Sequence, residues 1–261
     1  MKSANFEYLR PTSLPDALDA ANDETTFLAG GQSLMAMLNL RVTSAETMID
    51  LSRLSELRGV NETPDAVTLG ALTTHAMIED GAVPDPSGGL MPRIASKIAY
   101  RAVRNMGTIG GSLALADPAA DWPCCLLALD ATVLIEGATS REEAIEDFLQ
   151  DAYTTTLEAG EIIRAIRIPR NTAPWGVYKV TRKSGAFADS LAICVLGDAP
   201  RIALTGTQSR AQRLRRAESA LHGDLRAAIL ADLADADPDA DAYKRRCHLA
   251  TVLAAIKEAQ S

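Results

Sequence analysis

Two turns built from small residues constrain this chain more tightly than any other feature: Phe27-Leu28-Ala29-Gly30-Gly31-Gln32-Ser33-Leu34 near its start, and Thr108-Ile109-Gly110-Gly111-Ser112 farther along. In the first, a β-prone run stops at paired glycines and an apolar helical pattern begins at once with Leu34, Met35, Met37 and Leu38. Glycine tolerates positive φ and lets a ligand approach the main chain. Amides at a helix start lack intrahelical acceptors and carry the positive end of the helix dipole, so such a turn suits a phosphate. Taken singly, it is also an ordinary strand-to-helix connection. The second turn repeats the composition, adds hydroxyls at Thr108 and Ser112, and is followed by Asp117-Pro118-Ala119-Ala120-Asp121. Two such turns in one α/β chain point to a shared, multiply charged ligand, because a pyrophosphate has two phosphates to satisfy.

The better-known fingerprints are missing. No G-x-G-x-x-G is followed by an acid at the right distance, and no G-x-x-x-x-G-K-[ST] occurs, which disfavours a Rossmann dinucleotide fold or a P-loop hydrolase. G-x-S-x-G and H-E-x-x-H are absent too, so the sequence picks out no catalytic nucleophile-base pair. His75, His222 and His248 are scattered and read as structural or surface residues. Cys124, Cys125, Cys194 and Cys247 show neither C-x-x-C spacing nor a companion histidine, so no metal or iron-sulfur ligand set is expected in this chain. Cys124 and Cys125 sit in an apolar run that reads as a buried helix.

Along the chain, the pattern divides into three units. In the first, 1–55, Ser13 caps a helix carrying Leu14, Ala17, Leu18 and Ala21, followed by a strand over 25–29, a helix opened by Ser33 and a strand over 47–51. The second, 56–170, holds a strand over 66–70, a helix from Thr73 or Thr74 through Ile78, a Pro/Gly loop over 81–89 and a helix over 90–99. It continues with a helix capped by Asp121 and begun by Pro123, then strands over 132–136 and 161–168. A linker over 169–174 leads to the third unit, 175–261, which reads as an antiparallel meander over 176–182, 191–196 and 202–207 followed by helices over 210–222, 225–234 and 240–259. Arg210, Arg213, Arg215 and Arg216 put a basic stretch on the first of these helices, either a solvated face or a docking edge for another subunit. The acidic run 232–241, broken by Pro238, reads as an exposed connection.

Composition narrows the field further. A net charge of -8 argues against nucleic acid as the main partner, since such proteins present a basic stripe to displace phosphate counterions. No run reaches the length of an apolar membrane span, and the amino terminus lacks a signal-peptide pattern, so a cytoplasmic protein is expected.

At its turns the sequence resembles the FAD-binding medium subunits of the molybdenum hydroxylases, such as carbon monoxide dehydrogenase, and the flavin domain of xanthine dehydrogenase. The matching landmarks are Ala29-Gly30-Gly31-Gln32-Ser33-Leu34, then Arg104-Asn105-Met106-Gly107-Thr108-Ile109-Gly110-Gly111-Ser112, then Ala116-Asp117-Pro118-Ala119-Ala120-Asp121, in that order. Glu161-Ile162-Ile163, Ile166-Arg167-Ile168-Pro169 and Tyr178-Lys179 also fit. The resemblance implies an α+β fold in which two α/β subdomains form a PCMH-type (vanillyl-alcohol-oxidase-like) FAD-binding domain, with a C-terminal antiparallel sheet and helices. It further implies that Ala29 through Leu34 and Thr108 through Ser112 hold the FAD pyrophosphate through main-chain amides, that Asp121 accepts a hydrogen bond from the adenosine part, and that Ile163 and Lys179 lie against the flavin. Tyr178 would shield a ring face. Two departures stand out: members often carry asparagine where this chain has Ser112, and the segment 183–189 matches the family pattern poorly.

In that family, substrate is oxidised at a molybdenum cofactor in a large subunit, [2Fe-2S] clusters in a small subunit relay electrons, and FAD passes them to the final acceptor. The resemblance therefore implies a large molybdopterin-binding partner, a small iron-sulfur partner and a dimer of heterotrimers. Two other readings remain open at this point: a self-sufficient FAD-dependent oxidase on the same scaffold, and a cofactor-free binding or assembly module.

Overall fold

A computed structural model of the chain describes residues 2–261. Glu7–Leu9 (β1), Leu14–Asp19 (α1), Thr25–Leu28 (β2), Leu34–Leu40 (α2) and Thr47–Asp50 (β3) make the first unit, whose strands form a parallel sheet in the order β1-β3-β2. The Ser13 hydroxyl caps α1 by accepting from the Asp16 amide, as its position predicts. Strand β1 carries no sequence signal at three residues, yet it extends the sheet by parallel pairing with β3.

The second unit begins with Val60–Glu62 (β4) and Ala66–Gly70 (β5), followed by helices His75–Glu79 (α3), Leu90–Ser96 (α4), Arg101–Arg104 (α5), Ile109–Leu115 (α6) and Asp121–Ala128 (α7). Thr132–Glu136 (β6), Arg141–Ala144 (β7), Ile145–Phe148 (α8), the small hairpin Leu149–Asp151 (β8) and Thr154–Thr155 (β9), and Ile162–Pro169 (β10) complete it. Its main sheet is antiparallel in the order β4-β5-β10-β6-β7, so the long strand β10 lies at the centre. A bulge at Arg164 interrupts β10, and Ile162 packs with the first unit while Ile163 packs in the second. Strand β10 is thus a wall common to both.

Trp175–Val180 (β11), Ser190–Val195 (β12), Arg201–Thr205 (β13) and Gln212–Arg213 (β14) form the C-terminal antiparallel sheet, followed by Arg215–Ser219 (α9), Leu225–Ala236 (α10) and Ala242–Ala259 (α11). Strand β12 is buried along its whole length because both faces are covered. Leu191, Ile193 and Val195 join the core of the second unit, whereas Ala192 and Cys194 pack under α9, α10 and α11. Each fully buried leucine or isoleucine contributes about 1.5–3 kcal/mol, so this two-sided burial fastens the C-terminal sheet to the rest of the molecule. The segment after Pro169 is held in place, with the Arg170 amide donating to Asp65 O and the Asn171 amide to Pro86 O.

One helix is corrected. The expected helix over 210–222 is instead the short strand β14 followed by α9, because Gln212 and Arg213 complete the β13 ladder. Its four arginines are all engaged within the chain: Arg210 with Glu146 O and Leu149 O, Arg213 with Glu218, Arg215 with Glu146, and Arg216 with Asp232 and Asp235. The acidic run 232–241 is likewise not a simple exposed connection. Asp232 is buried and accepts from the Ala217 amide, and buried Asp237 meets His248 at 3.3 Å.

Candidate cofactor cleft

The two glycine turns meet. A methyl group on Gly30 would overlap the Met106 carbonyl and come within 2.9 Å of Gly107 Cα, and one on Gly111 would reach Ala29 Cβ at 3.4 Å. The first turn leaves the carboxyl end of β2, and Leu51 follows the end of β3, so the site sits where ligands gather at parallel strand ends. Around this junction lies a cleft of about 500 Å³, of the size of small-molecule and cofactor sites.

Ala29, Gly30, Gly31, Gln32, Ser33 and Leu34 line the cleft from one side, and Thr108, Gly110, Gly111 and Ser112 from the other. Asp121 and Ile163 line it as well. Ile109 does not: its side chain is fully buried in the core beneath α6. Lys179 does not line it either, but stands behind Asp121 in a smaller neighbouring cavity of about 300 Å³ that also includes Asp121, Arg93 and Lys97.

The amides behave differently in the two turns. Among the described residues, the N–H groups of Gly30, Gly31, Gln32 and Ser33 find no acceptor within the chain, and Gly31 adopts φ +70° to hold the turn open. The Gln32 side chain braces it by donating to Gly30 O at 3.0 Å. At the second turn, by contrast, the Ile109 amide donates to Thr73 O, that of Gly110 to Ala71 O and that of Gly111 to the Thr108 hydroxyl. Thr108 is an N-cap that satisfies its own helix, so the expectation of free amides holds for the first turn only. What the second turn offers is a surface without side chains at Gly110 and Gly111, and the Ser112 hydroxyl.

Asp121 opens helix α7, one position past the expected cap, and its carboxylate turns to Lys179 instead of capping. Oδ2 accepts from the Lys179 ammonium at 2.9 Å. Oδ1 lies 2.8 Å from the same ammonium but out of line for a hydrogen bond, leaving a buried oxygen with free acceptor capacity. Burial pushes the Asp121 carboxyl up, an effect that the Lys179 charge partly opposes.

Two further residues of the cleft escape the sequence reading. His75 is buried beside Gly107, and its Nδ1 accepts from Trp122 Nε1 at 3.0 Å. Phe187, 58% exposed, presents an aromatic face to the cleft from the segment 183–189, where the family pattern is weakest. Neither carries a local motif. Cys124 and Cys125, as expected, are buried, and burial pushes both thiols far up, which makes them inert.

These features suit a dinucleotide such as FAD: unpartnered amides beside glycines that leave room for a diphosphate, a buried carboxylate oxygen with free acceptor capacity, and apolar walls for flat rings. Comparison with known proteins agrees. The family model described as the FAD binding domain in molybdopterin dehydrogenase matches residues 4–171. The glyceraldehyde dehydrogenase medium chain of Sulfolobus acidocaldarius is 40% identical over 192 residues, spanning 72% of this chain and 68% of its own. The carbon monoxide dehydrogenase medium chain of Hydrogenophaga pseudoflava is 34% identical over 230 residues, or 84% and 80% of the two chains. Among solved structures, carbon monoxide dehydrogenase from Hydrogenophaga pseudoflava superposes with a TM-score of 0.92 at 32% identity, covering 100% of this chain and 99% of that one. Quinoline 2-oxidoreductase from Pseudomonas putida gives 0.87 at 29% identity over the full length of both chains. The chain belongs to the FAD-binding family of the molybdopterin dehydrogenases, as an FAD-binding medium subunit of a molybdenum hydroxylase-type oxidoreductase.

Proposed function

We propose that the cleft holds noncovalent FAD with its pyrophosphate on the free amides of residues 30–33, flanked by Ala29 and Leu34. Thr108, Gly110, Gly111 and Ser112 close the opposite side, and Ile109 acts from below by anchoring α6 in the core. The observation that carries this reading is the junction of the two glycine turns, one with unpartnered amides, in a single cleft.

Asp121 and Lys179 form one ion pair, so they serve the same end of an extended dinucleotide. We assign that end to the flavin, with Asp121 facing the ring, Lys179 holding that carboxylate from behind at 2.8 Å, and Phe187 facing the ring from the rim. We place the pair at the flavin end, in place of the adenosine role expected for Asp121. Ile163 supplies part of the apolar wall on β10. Bound FAD takes up electrons singly and delivers them in pairs, while the chain contributes binding, orientation and electrostatics.

Electrons then come from [2Fe-2S] clusters in a small partner, and the organic substrate is oxidised at a molybdenum cofactor in a large partner. The assembly is a dimer of heterotrimers in the cytoplasm. Residues 1–55 and 56–170 act as the two halves of the FAD domain, with 175–261 as a C-terminal domain packed against them. The medium-chain relatives, whose names mark them as parts of larger dehydrogenases, support this reading. Expressing the chain alone tests it: yellow protein with a flavin spectrum and no turnover of added aldehydes, alcohols or heterocycles is expected. Turnover by the isolated chain would favour a self-sufficient oxidase, and colourless protein that takes up no FAD would overturn the proposal.

A further inference from the structure

We propose that His75 is a hydrogen-bond donor of fixed tautomer to the ligand of the cleft, its Nε2–H directed at an oxygen of the dinucleotide where the two glycine turns meet. This rests on the reading of the cleft as an FAD site. The ring is placed from three sides. Its own main-chain amide donates to Gly107 O at 3.0 Å, which ties the start of α3 to the second turn. Trp122 Nε1 is a donor only, so Nδ1 must accept, and the proton of a neutral imidazole then resides on Nε2. The Nε2 edge lies against Gly107, where an added Cβ would come within 2.8 Å of it, so only glycine lets the ring reach this position.

Among the described residues Nε2 has no acceptor within the chain, although His75 is only 6% exposed and lines the cleft. Nε2 is not itself sealed off: unlike the fully buried unpartnered oxygen of Thr73, it keeps an opening, and the space the ring borders is the cleft. The missing acceptor is supplied by whatever occupies the cleft. The charged groups facing His75 favour a neutral ring: Arg104 from α5 lies nearby and is held by Glu79 of α3 at 2.7 Å, and burial together with the Arg104 charge brings the imidazole down to about 4. A neutral donor keeps its contact over the whole physiological range, whereas a histidinium contact would fade above about pH 6.5.

The test is FAD binding to the full chain, stripped of cofactor and refilled, by isothermal titration for wild type, His75→Leu and His75→Gln, with the imidazole followed by ¹H–¹⁵N NMR. Leucine removes the donor, while the glutamine amide can reproduce it at the Nε2 position. The expected result is a loss of about tenfold to a hundredfold in affinity for His75→Leu, within the range for a hydrogen bond to a charged group. His75→Gln should stay within several-fold of wild type. The wild-type Nε2–H resonance should shift on FAD addition while Nδ1 remains an acceptor, and affinity should be flat between about pH 5.5 and 8. Equal affinities for wild type and His75→Leu, or an Nε2–H resonance unmoved by FAD, would overturn the role of His75 and leave the FAD site standing. Wild type that binds no FAD would overturn both. If His75→Leu does not fold, the NMR titration of wild type alone decides.

Discussion

The Lys179 ammonium lies 2.8 Å from the Asp121 carboxylate and joins strand β11 of the C-terminal sheet to the first turn of α7 at the wall of the cleft. The two side chains are 12% and 5% exposed, so neither charge has bulk water to fall back on. Breaking such a pair from one side leaves a buried charge without compensation, which is more damaging than removing both.

Lys179→Met is accordingly expected to destabilise the cofactor-free chain by about 3 kcal/mol, and the double variant with Asp121→Asn to recover most of that loss. Urea unfolding of both singles and the double gives the coupling. Additive losses would mean that the pair contributes no more than two independent contacts.

His75 makes the chain sensitive to acid. Its imidazole is held at about 4 in the folded state against 6.5 when free, so between these values the unfolded chain binds more protons. Stability from this group is complete above pH 6.5 and is lost as pH falls toward 4, by up to about 3 kcal/mol. His75→Gln should flatten the fall of Tm over that interval relative to wild type. Identical slopes for the two proteins would contradict the assignment.

Gly30 and Gly31 are expected to fail for different reasons. Gly30→Ala drives a methyl group into the Met106 carbonyl and should separate the turns, at about 1–3 kcal/mol of stability. Gly31→Ala strains a residue at φ +70° beside Leu28 Cδ1, at about 1–2 kcal/mol. Thermal melts of the two variants, with hydrogen exchange at 105–111, should show loosening of the second turn in Gly30→Ala alone.

Gly176 marks the contact of β11 with α11. A methyl group there would overlap the Ala255 carbonyl and lie 2.5 Å from Ala259 N. Gly176→Ala should lift the end of α11 and speed proteolysis after the lysines and arginines of that helix, a change read by limited trypsin digestion. An unaltered digestion pattern would show that the helix is not pinned at this point.

Much of this was legible in the sequence. Paired glycines between a β run and a helical run located the first turn, glycines flanked by the Thr108 and Ser112 hydroxyls located the second, and Ser13 and Thr74 cap the helices that their positions predict. What stayed hidden depends on partners distant in sequence. Ala211, Leu214 and Ala217 are buried at helical spacing, but the pairing of Gln212 with Leu204 turns the start of that run into a strand. The amides of Ile109 and Gly110 look free until 71–73 folds against them. Likewise, nothing local to Asp121 announces Lys179, and nothing beside His75 announces Trp122.

The most direct measurement is the flavin-to-protein ratio after gel filtration of wild type and Gly31→Asp, with far-UV circular dichroism on both. Wild type should emerge with equimolar FAD, and the variant should be folded by its dichroism yet nearly free of flavin, because a charged side chain at φ +70°, pressed on Leu28 Cδ1 and Met35 Cγ, pulls the turn and its free amides out of place. A folded variant that keeps its full complement of FAD would mean that the nucleotide does not rest on the turn at Gly30 and Gly31.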